Sequence, residues 1–252
     1  MTTQQKPPDF VEGPNGQLAY RMREGAGPCV VWLGGFRSDM MGSKASHLDA
    51  WAVRNNRSFL RFDYSGHGKS AGKFANRCIS DWKEDAAFLI EKLVDGPQIL
   101  IGSSMGAWIA ALVAKQSPKK IQGIIFIAPA PDFTERLMRP SFSEEQLEKL
   151  ETDGKIFVPS DYGDEPDVIT KKLIDDGLKN LVMSQSLTIS CPVRILHGMR
   201  DDAVSVDHAL AFARHIDGND VTIHLKKAGD HRLSEPDDLA RLTQTVEALS
   251  SK

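Results

Sequence analysis

Cysteine is scarce in this 252-residue chain, and its three cysteines, Cys29, Cys78 and Cys191, lie far apart. They form neither a CxxC pair nor a Cys/His ligand pattern, which excludes a disulfide framework and a structural zinc site and reads as reduced thiols in a reducing compartment. Long hydrophobic runs are also missing, and no stretch approaches the roughly 18 apolar residues that span a bilayer. The start, MTTQQKPPDF, has no basic segment leading into an apolar core and no Arg-rich amphipathic stretch. These absences predict a soluble cytoplasmic protein, or one of the mitochondrial matrix if a presequence has been removed. An excess of one charge is lacking too: the formal net charge is -3 and there is no basic run. Nucleic acid and anionic membrane surfaces therefore have no electrostatic handle. Nothing matches GxGxxG or the P-loop pattern, and no HExxH or dense His/Asp cluster occurs, so neither a nucleotide cofactor nor a catalytic metal is expected.

What is present is a repeating alternation. The composition, 41% hydrophobic and 26% charged, is enough to bury one core, and we read residues 1–252 as a single domain. Apolar runs flank Pro14-Asn15-Gly16, where the Asn-Gly pair favours a tight reversal and predicts an antiparallel N-terminal hairpin. CVVWLGG follows, a continuous apolar run of the kind found in strands covered on both faces. The chain then alternates: helix 43–54, strand SFLRFDY, helix ISDWKEDAAFLIEKL, strand QILIG, helix AWIAALVAKQ, strand GIIFIA. Trp82, Ala86, Leu89 and Leu93 give the second helix one apolar stripe. This order predicts a mostly parallel central sheet with helices on both faces.

The alternation stops near residue 130 and resumes at VRILHG, followed by helix VDHALAFARHI, strand VTIHLKK and a helix from Asp237 to Leu249. A gap this long is no ordinary connection. We read 131–190 as a small cap insertion with helical patterns near Glu144–Leu150 and Val168–Val182 and the stretch VPSDYGDEPD between them. Its apolar residues Phe142, Leu147, Leu150, Phe157, Ile169 and Leu173 either line an acyl pocket or pack the cap onto the core. Acidic residues exceed the five lysines of 141–180, which disfavours highly anionic substrates unless the charges are a solvated lid face.

The chemistry concentrates in Gly102-Ser103-Ser104-Met105-Gly106. GxSxG also occurs in ordinary turns, so the flanks decide: an apolar strand runs straight in and a good helix follows, the context of a nucleophile elbow. Ser104 is the candidate nucleophile, and a serine hydroxyl needs a base and an acid that orients the base. His231, in the polar loop LKKAGDHRLSEP after a strand, is the candidate base. His47, His67, His208, His215 and His224 read as surface or capping residues. Asp201, after VRILHG and three residues before Val204, is the candidate acid. Asp202 reads as a cap of the next turn or helix, and Asp132, after GIIFIA, is the rival acid. For the oxyanion, the Met105 N–H at the helix start and the Phe36 N–H in the Gly34-Gly35-Phe36 loop are the candidate donors, with Gly35 as the fallback. FDYSGHGKS reads as a structural turn.

With Ser104, Asp201 and His231 in that order, an elbow and an insertion before the acid, the sequence resembles the α/β-hydrolase family over nearly its whole length. FDYSGHGKS, GPQILIGSSMGAW, CPVRILHGMRDD and GDHR are most similar to the branch of mitochondrial acyl-protein (palmitoyl-protein) thioesterases, also described as acyl-glucuronide esterases. The resemblance implies a serine hydrolase of esters or thioesters working through an acyl-enzyme, on a small-molecule substrate or an acylated protein. The serine sets the chain apart from related dehalogenases and epoxide hydrolases, which place Asp there, and from dienelactone hydrolase, which places Cys. An acyltransferase or carbon-carbon bond hydrolase on the same triad, and a non-catalytic binding protein of this fold, remain the alternatives.

Overall fold

The computed structural model describes residues 7–159 and 166–250. Its strands are β1 (Asp9–Gly13), β2 (Gly16–Arg23), β3 (Ala26–Leu33), β4 (Arg57–Phe62), β5 (Gln98–Ser103), β6 (Ile121–Ile127), β7 (Lys155–Val158), β8 (Asp167–Thr170), β9 (Leu187–Thr188), β10 (Val193–Gly198), β11 (Ile216–Asp217) and β12 (Val221–Lys226). The helices are α1 (Ser43–Arg54), α2 (Ile79–Leu93), α3 (Met105–Gln116), α4 (Arg139–Ser141), α5 (Glu144–Asp153), α6 (Lys171–Lys179), α7 (Val206–His215) and α8 (Pro236–Ser250). Eight strands form the main sheet in the order β1-β2-β4-β3-β5-β6-β10-β12. Only β2 runs against the others of that sheet, pairing antiparallel with β1 and β4. The hairpin closes on Gly13 and Gly16 across Pro14-Asn15, with Gly16 at φ 109° taking the conformation that a side chain would resist.

Alternation along the central strands divides the core in two. Val31, Leu33, Leu100, Ile124, Phe126 and Ile195 face α2, α3 and α7, where Trp82, Trp108 and Phe212 are fully covered. Val30, Trp32, Ile99, Ile101, Ile125 and Ile127 face α1 and α8, meeting Leu48, Trp51, Leu242 and Val246. Burial on both faces is why CVVWLGG and QILIG read as continuous apolar runs.

Between β6 and β10 the chain leaves the sheet. A π-helical turn, Thr134–Met138, runs into α4, and α5, the antiparallel β7–β8 pair and α6 follow. The expected helix from Val168 to Val182 is corrected: β8 takes its first residues, and helix begins only at Lys171. The β-branched DVIT alternates buried and half-buried against KIFV, a period-2 pattern that an isolated helical stripe conceals. Most of VPSDYGDEPD, residues 160–165, lies outside the described residues. Leu150, Ile169 and Leu173 are buried against the core and Phe157 is exposed. The segment is fixed by Trp108 Nε1 donating to the Asn180 carbonyl at 2.9 Å and by Ser80 Oγ donating to Asp176 at 2.8 Å.

Candidate active site

The sheet delivers Ser104 at the tip of β5. Ser104 has φ 55° and ψ -117°, a left-handed conformation forced on a residue with a Cβ, and it opens α3 directly. Such a position costs roughly 1–3 kcal/mol. Two glycines make the turn sterically feasible. A Cβ on Gly102 would collide with the Gly106 carbonyl and the Ala107 backbone, and one on Gly106 with the Leu33 and Gly34 carbonyls.

The loops after β10 and β12 bring the other two residues to it. His231 Nε2 lies 3.1 Å from Ser104 Oγ, and His231 Nδ1 lies 2.8 Å from Asp201 Oδ2. Asp201's carboxylate is fully buried while the His231 ring keeps 19% of its surface. The second oxygen of Asp201 accepts from the Ala203 and Val204 N–H groups at 3.0 and 2.7 Å, which holds the carboxylate in one orientation. The two loops are joined to each other: Met199 N donates to the Lys226 carbonyl and Arg200 N to the Gly229 carbonyl, both at 2.8 Å. A carboxylate on Nδ1–H fixes the imidazole tautomer and leaves the Nε2 lone pair free for a hydroxyl proton.

His197, at the end of β10, is a neighbour of the candidate acid that sequence reasoning missed. It is fully buried, its Nε2 lies 3.1 Å from the Val204 carbonyl and 3.8 Å from Asp201 Oδ2, and burial pushes its pKa below the usual imidazole range. In that neutral form Nε2–H donates to Val204, the same residue whose N–H holds Asp201. Nothing in VRILHG marks this except a histidine closing an apolar strand.

The rival acid is accounted for differently. Asp132 accepts from Val182 N at 2.8 Å and Met183 N at 2.9 Å, closing the two ends of the β6–β10 segment on each other. Asp202 does not cap α7, whose N-cap is Ser205; it stands exposed on the rim of the Ser104 cleft. Two of the histidines read as surface or capping residues are corrected: His67 is 4% and His208 9% exposed, and neither side chain caps a helix. His208 Nε2 reaches the Pro131 carbonyl at 3.0 Å and His67 packs among aromatic rings. His215 sits at its helix end against the Ala211 carbonyl.

The two candidate oxyanion donors, the Met105 and Phe36 N–H groups, belong to the two backbone segments that meet at Ser104. Met105 is the first residue of α3, where N–H groups lack helical partners and the dipole is positive. The Gly34-Gly35-Phe36 loop lies against the elbow, so that a Cβ on Gly35 would stand 3.5 Å from Ser104 Cβ. Neither the Phe36 nor the Met105 N–H donates to an acceptor among the described residues. Ser104 and His231 open into a cleft of about 790 Å³ whose walls include Trp32, Phe36, Lys44, Arg200 and Arg232. None of the six apolar residues named in the 131–190 segment lines it. Lys44 Nζ donates to the Arg232 carbonyl beside His231, and burial lowers its pKa to about 8.

Among the described residues no group of three or more His, Cys, Asp or Glu could hold a metal ion, and no helix is long and apolar enough to cross a membrane.

Comparison with known proteins bears on the family. The hydrolase family model described as "Serine aminopeptidase, S33" matches residues 30–155. The chain is 33% identical over 236 residues to the mitochondrial palmitoyl-protein thioesterase ABHD10 of Rattus norvegicus, covering 93% of this chain and 79% of that protein. A crystal structure of a putative hydrolase from Agrobacterium vitis superposes with a TM-score of 0.92 at 37% identity, covering 97% of this chain and 100% of that one. The mouse α/β hydrolase domain-containing protein 10 gives 0.88 at 31% identity, with 97% and 98% covered. By fold, family model and relatives, this chain belongs to the α/β-hydrolase family and is a hydrolase.

Proposed function

We propose that this hydrolase cleaves carboxylic esters or thioesters through an acyl-enzyme on Ser104, with the segment 131–190 as its cap. His231 Nε2 takes the Ser104 proton as Oγ attacks the substrate carbonyl carbon. The Phe36 and Met105 N–H groups hold the oxyanion, and Asp201 steadies the imidazolium. Collapse breaks the bond to the leaving alcohol or thiol, which takes the proton from His231. Water, deprotonated by the same imidazole, then attacks the acyl-serine and releases the acid. The supporting observation is the pair of contacts, 3.1 Å and 2.8 Å, that connects a strained serine to a buried carboxylate through one ring.

Relatives named as palmitoyl-protein thioesterases make acylated cysteine, on a protein or a small thiol, our candidate substrate. A wide cleft with Arg200, Arg232 and Lys44 on its walls suits a polar leaving group better than a second apolar chain. Three unpaired thiols fit a reducing compartment, the cytoplasm or the mitochondrial matrix. The test is a series of p-nitrophenyl esters of rising chain length measured beside S-acyl-cysteine peptides, with the Ser104→Ala variant as control. The reading expects both series to turn over in the wild type and neither in the variant; turnover confined to oxygen esters removes the thioesterase part.

A further inference from the structure

We infer that His67 is a positioning residue for the oxyanion loop: its Nε2, by accepting the Arg37 N–H, holds the turn that presents the Phe36 N–H. The inference rests on the serine-hydrolase reading and goes beyond it by assigning a histidine of FDYSGHGKS to the reaction.

The loop is a tight turn. Ser38 N and Oγ both donate to the Gly35 carbonyl, at 3.2 and 2.9 Å, which makes Phe36 and Arg37 the two central residues. Arg37 has φ 56°, a left-handed conformation that an arginine adopts only under constraint. The constraint comes from three directions. The Arg37 N–H donates to His67 Nε2 at 3.3 Å. The guanidinium contacts Asp167 of β8, Nε to Oδ1 at 2.6 Å, and stacks over Phe74 with its carbon 4.9 Å from the ring centre.

His67 is itself fixed in the tautomer this requires. Its Nδ1 lies 3.4 Å from the Ser65 carbonyl, which also accepts from Trp82 Nε1 at 3.1 Å, so the ring proton sits on Nδ1 and the Nε2 lone pair faces Arg37. Phe74 and Trp82 pack edge-on against the His67 ring at 5.1 and 5.2 Å and against the Phe36 ring at 4.8 and 6.1 Å. One pair of aromatics therefore clamps both the candidate donor residue and the imidazole that holds its neighbour. Of the three restraints only the His67 bond acts on the peptide itself, so removing the acceptor favours rotation of the Phe36–Arg37 peptide, relieving the positive φ and loosening the backbone that carries the Phe36 N–H. His67 touches no reacting atom, so its effect is confined to the transition state that uses this donor.

The experiment compares His67→Leu, which keeps bulk without an acceptor, with His67→Gln, whose amide oxygen can reach the Arg37 N–H. Each is measured for kcat and KM on a p-nitrophenyl ester, for melting temperature, and for labelling of Ser104 by a fluorophosphonate. The expected result is a kcat lower by about ten- to a hundredfold in His67→Leu with KM within about twofold, and recovery of at least about tenfold in His67→Gln, scaled from the loss of one oxyanion donor. A folded His67→Leu with kcat within about twofold of wild type, or a Gln variant no better than Leu at equal melting temperature, overturns the inference. If His67→Leu does not fold, His67→Asn replaces it, because its shorter amide keeps a polar group but falls short of Arg37; equal kcat for Asn and Gln overturns the inference as well. A wild-type protein whose Ser104 is not labelled overturns the serine-hydrolase reading instead, so the two failures are distinct.

Discussion

Asp201→Asn should abolish nearly all turnover while leaving a folded protein, and the hydrogen bonds around the carboxylate say why. Its oxygens serve two sides at once: Ala203 and Val204 N–H on one, His231 Nδ1 on the other. An asparagine has one oxygen for both. With two N–H groups against one, that oxygen stays on the backbone side, and the amide NH₂ faces His231. The imidazole must then accept at Nδ1 and carry its proton on Nε2, 3.1 Å from Ser104 Oγ, where it cannot take the hydroxyl proton. A wrong tautomer of this kind costs about 10⁴-fold in kcat, roughly 5 kcal/mol of barrier, whereas the loss in folding stability should be about 1–2 kcal/mol. The assay is steady-state hydrolysis of a p-nitrophenyl ester beside a urea melt. Asp132→Asn is the counterpart: its carboxylate holds Val182 and Met183, so it should lose about 1–3 kcal/mol of stability and keep kcat within about threefold. A folded Asp201→Asn retaining more than about a tenth of wild-type kcat would refute the reasoning.

Three further outcomes follow from packing and charge. Gly106→Ala drives a methyl into the Leu33 and Gly34 carbonyls and should destabilise by more than about 4 kcal/mol, read as loss of soluble folded protein; a stable, active variant would contradict the elbow geometry. Burial lowers the His67 pKa to about 4, so as pH falls the unfolded chain, titrating near about 6.5, takes up the proton first. This stabilising contribution is whole above about pH 6.5 and lost as pH falls to about 4, an effect of roughly 3 kcal/mol. His67→Gln should flatten that part of the stability–pH curve, and an unchanged slope counts against the neutral buried ring. Burial also raises the thiol pKa of Cys78 to about 12 and of half-buried Cys191 to about 11. Ellman's reagent should therefore titrate the three thiols rapidly only after unfolding, with Cys191 first in the native protein; immediate reaction of all three would be incompatible with the packing.

Sequence reasoning reached the elbow and the alternation of β3 to α3 because each is written locally, and the three candidates that the structure brings together, Ser104, Asp201 and His231, each follow a strand that could be read in the sequence. Strands covered on both faces must be apolar throughout, and a strand that turns at once into a helix needs small residues on either side of the turn. What escaped depends on contacts between distant segments. His67 reads like any turn histidine until Phe74, Trp82 and Arg37 are packed around it, and His197 gains its meaning from Val204, reached through the acid loop. The β7–β8 pair was hidden because β8 is four residues long and runs straight into α6, whose apolar stripe extends the helical pattern backward. Asp132 and Asp201 both stand in loops that follow strands, and only the partners that surround them separate a closure of the chain from a companion of the imidazole.

The most direct test of the whole account is intact-mass and peptide analysis of the protein quenched during turnover of a slowly hydrolysed ester. The account predicts a mass increase equal to one acyl group, carried by the peptide that contains Ser104 and absent from Ser104→Ala. Undiminished turnover by Ser104→Ala, or an acyl group found on another residue, would contradict it.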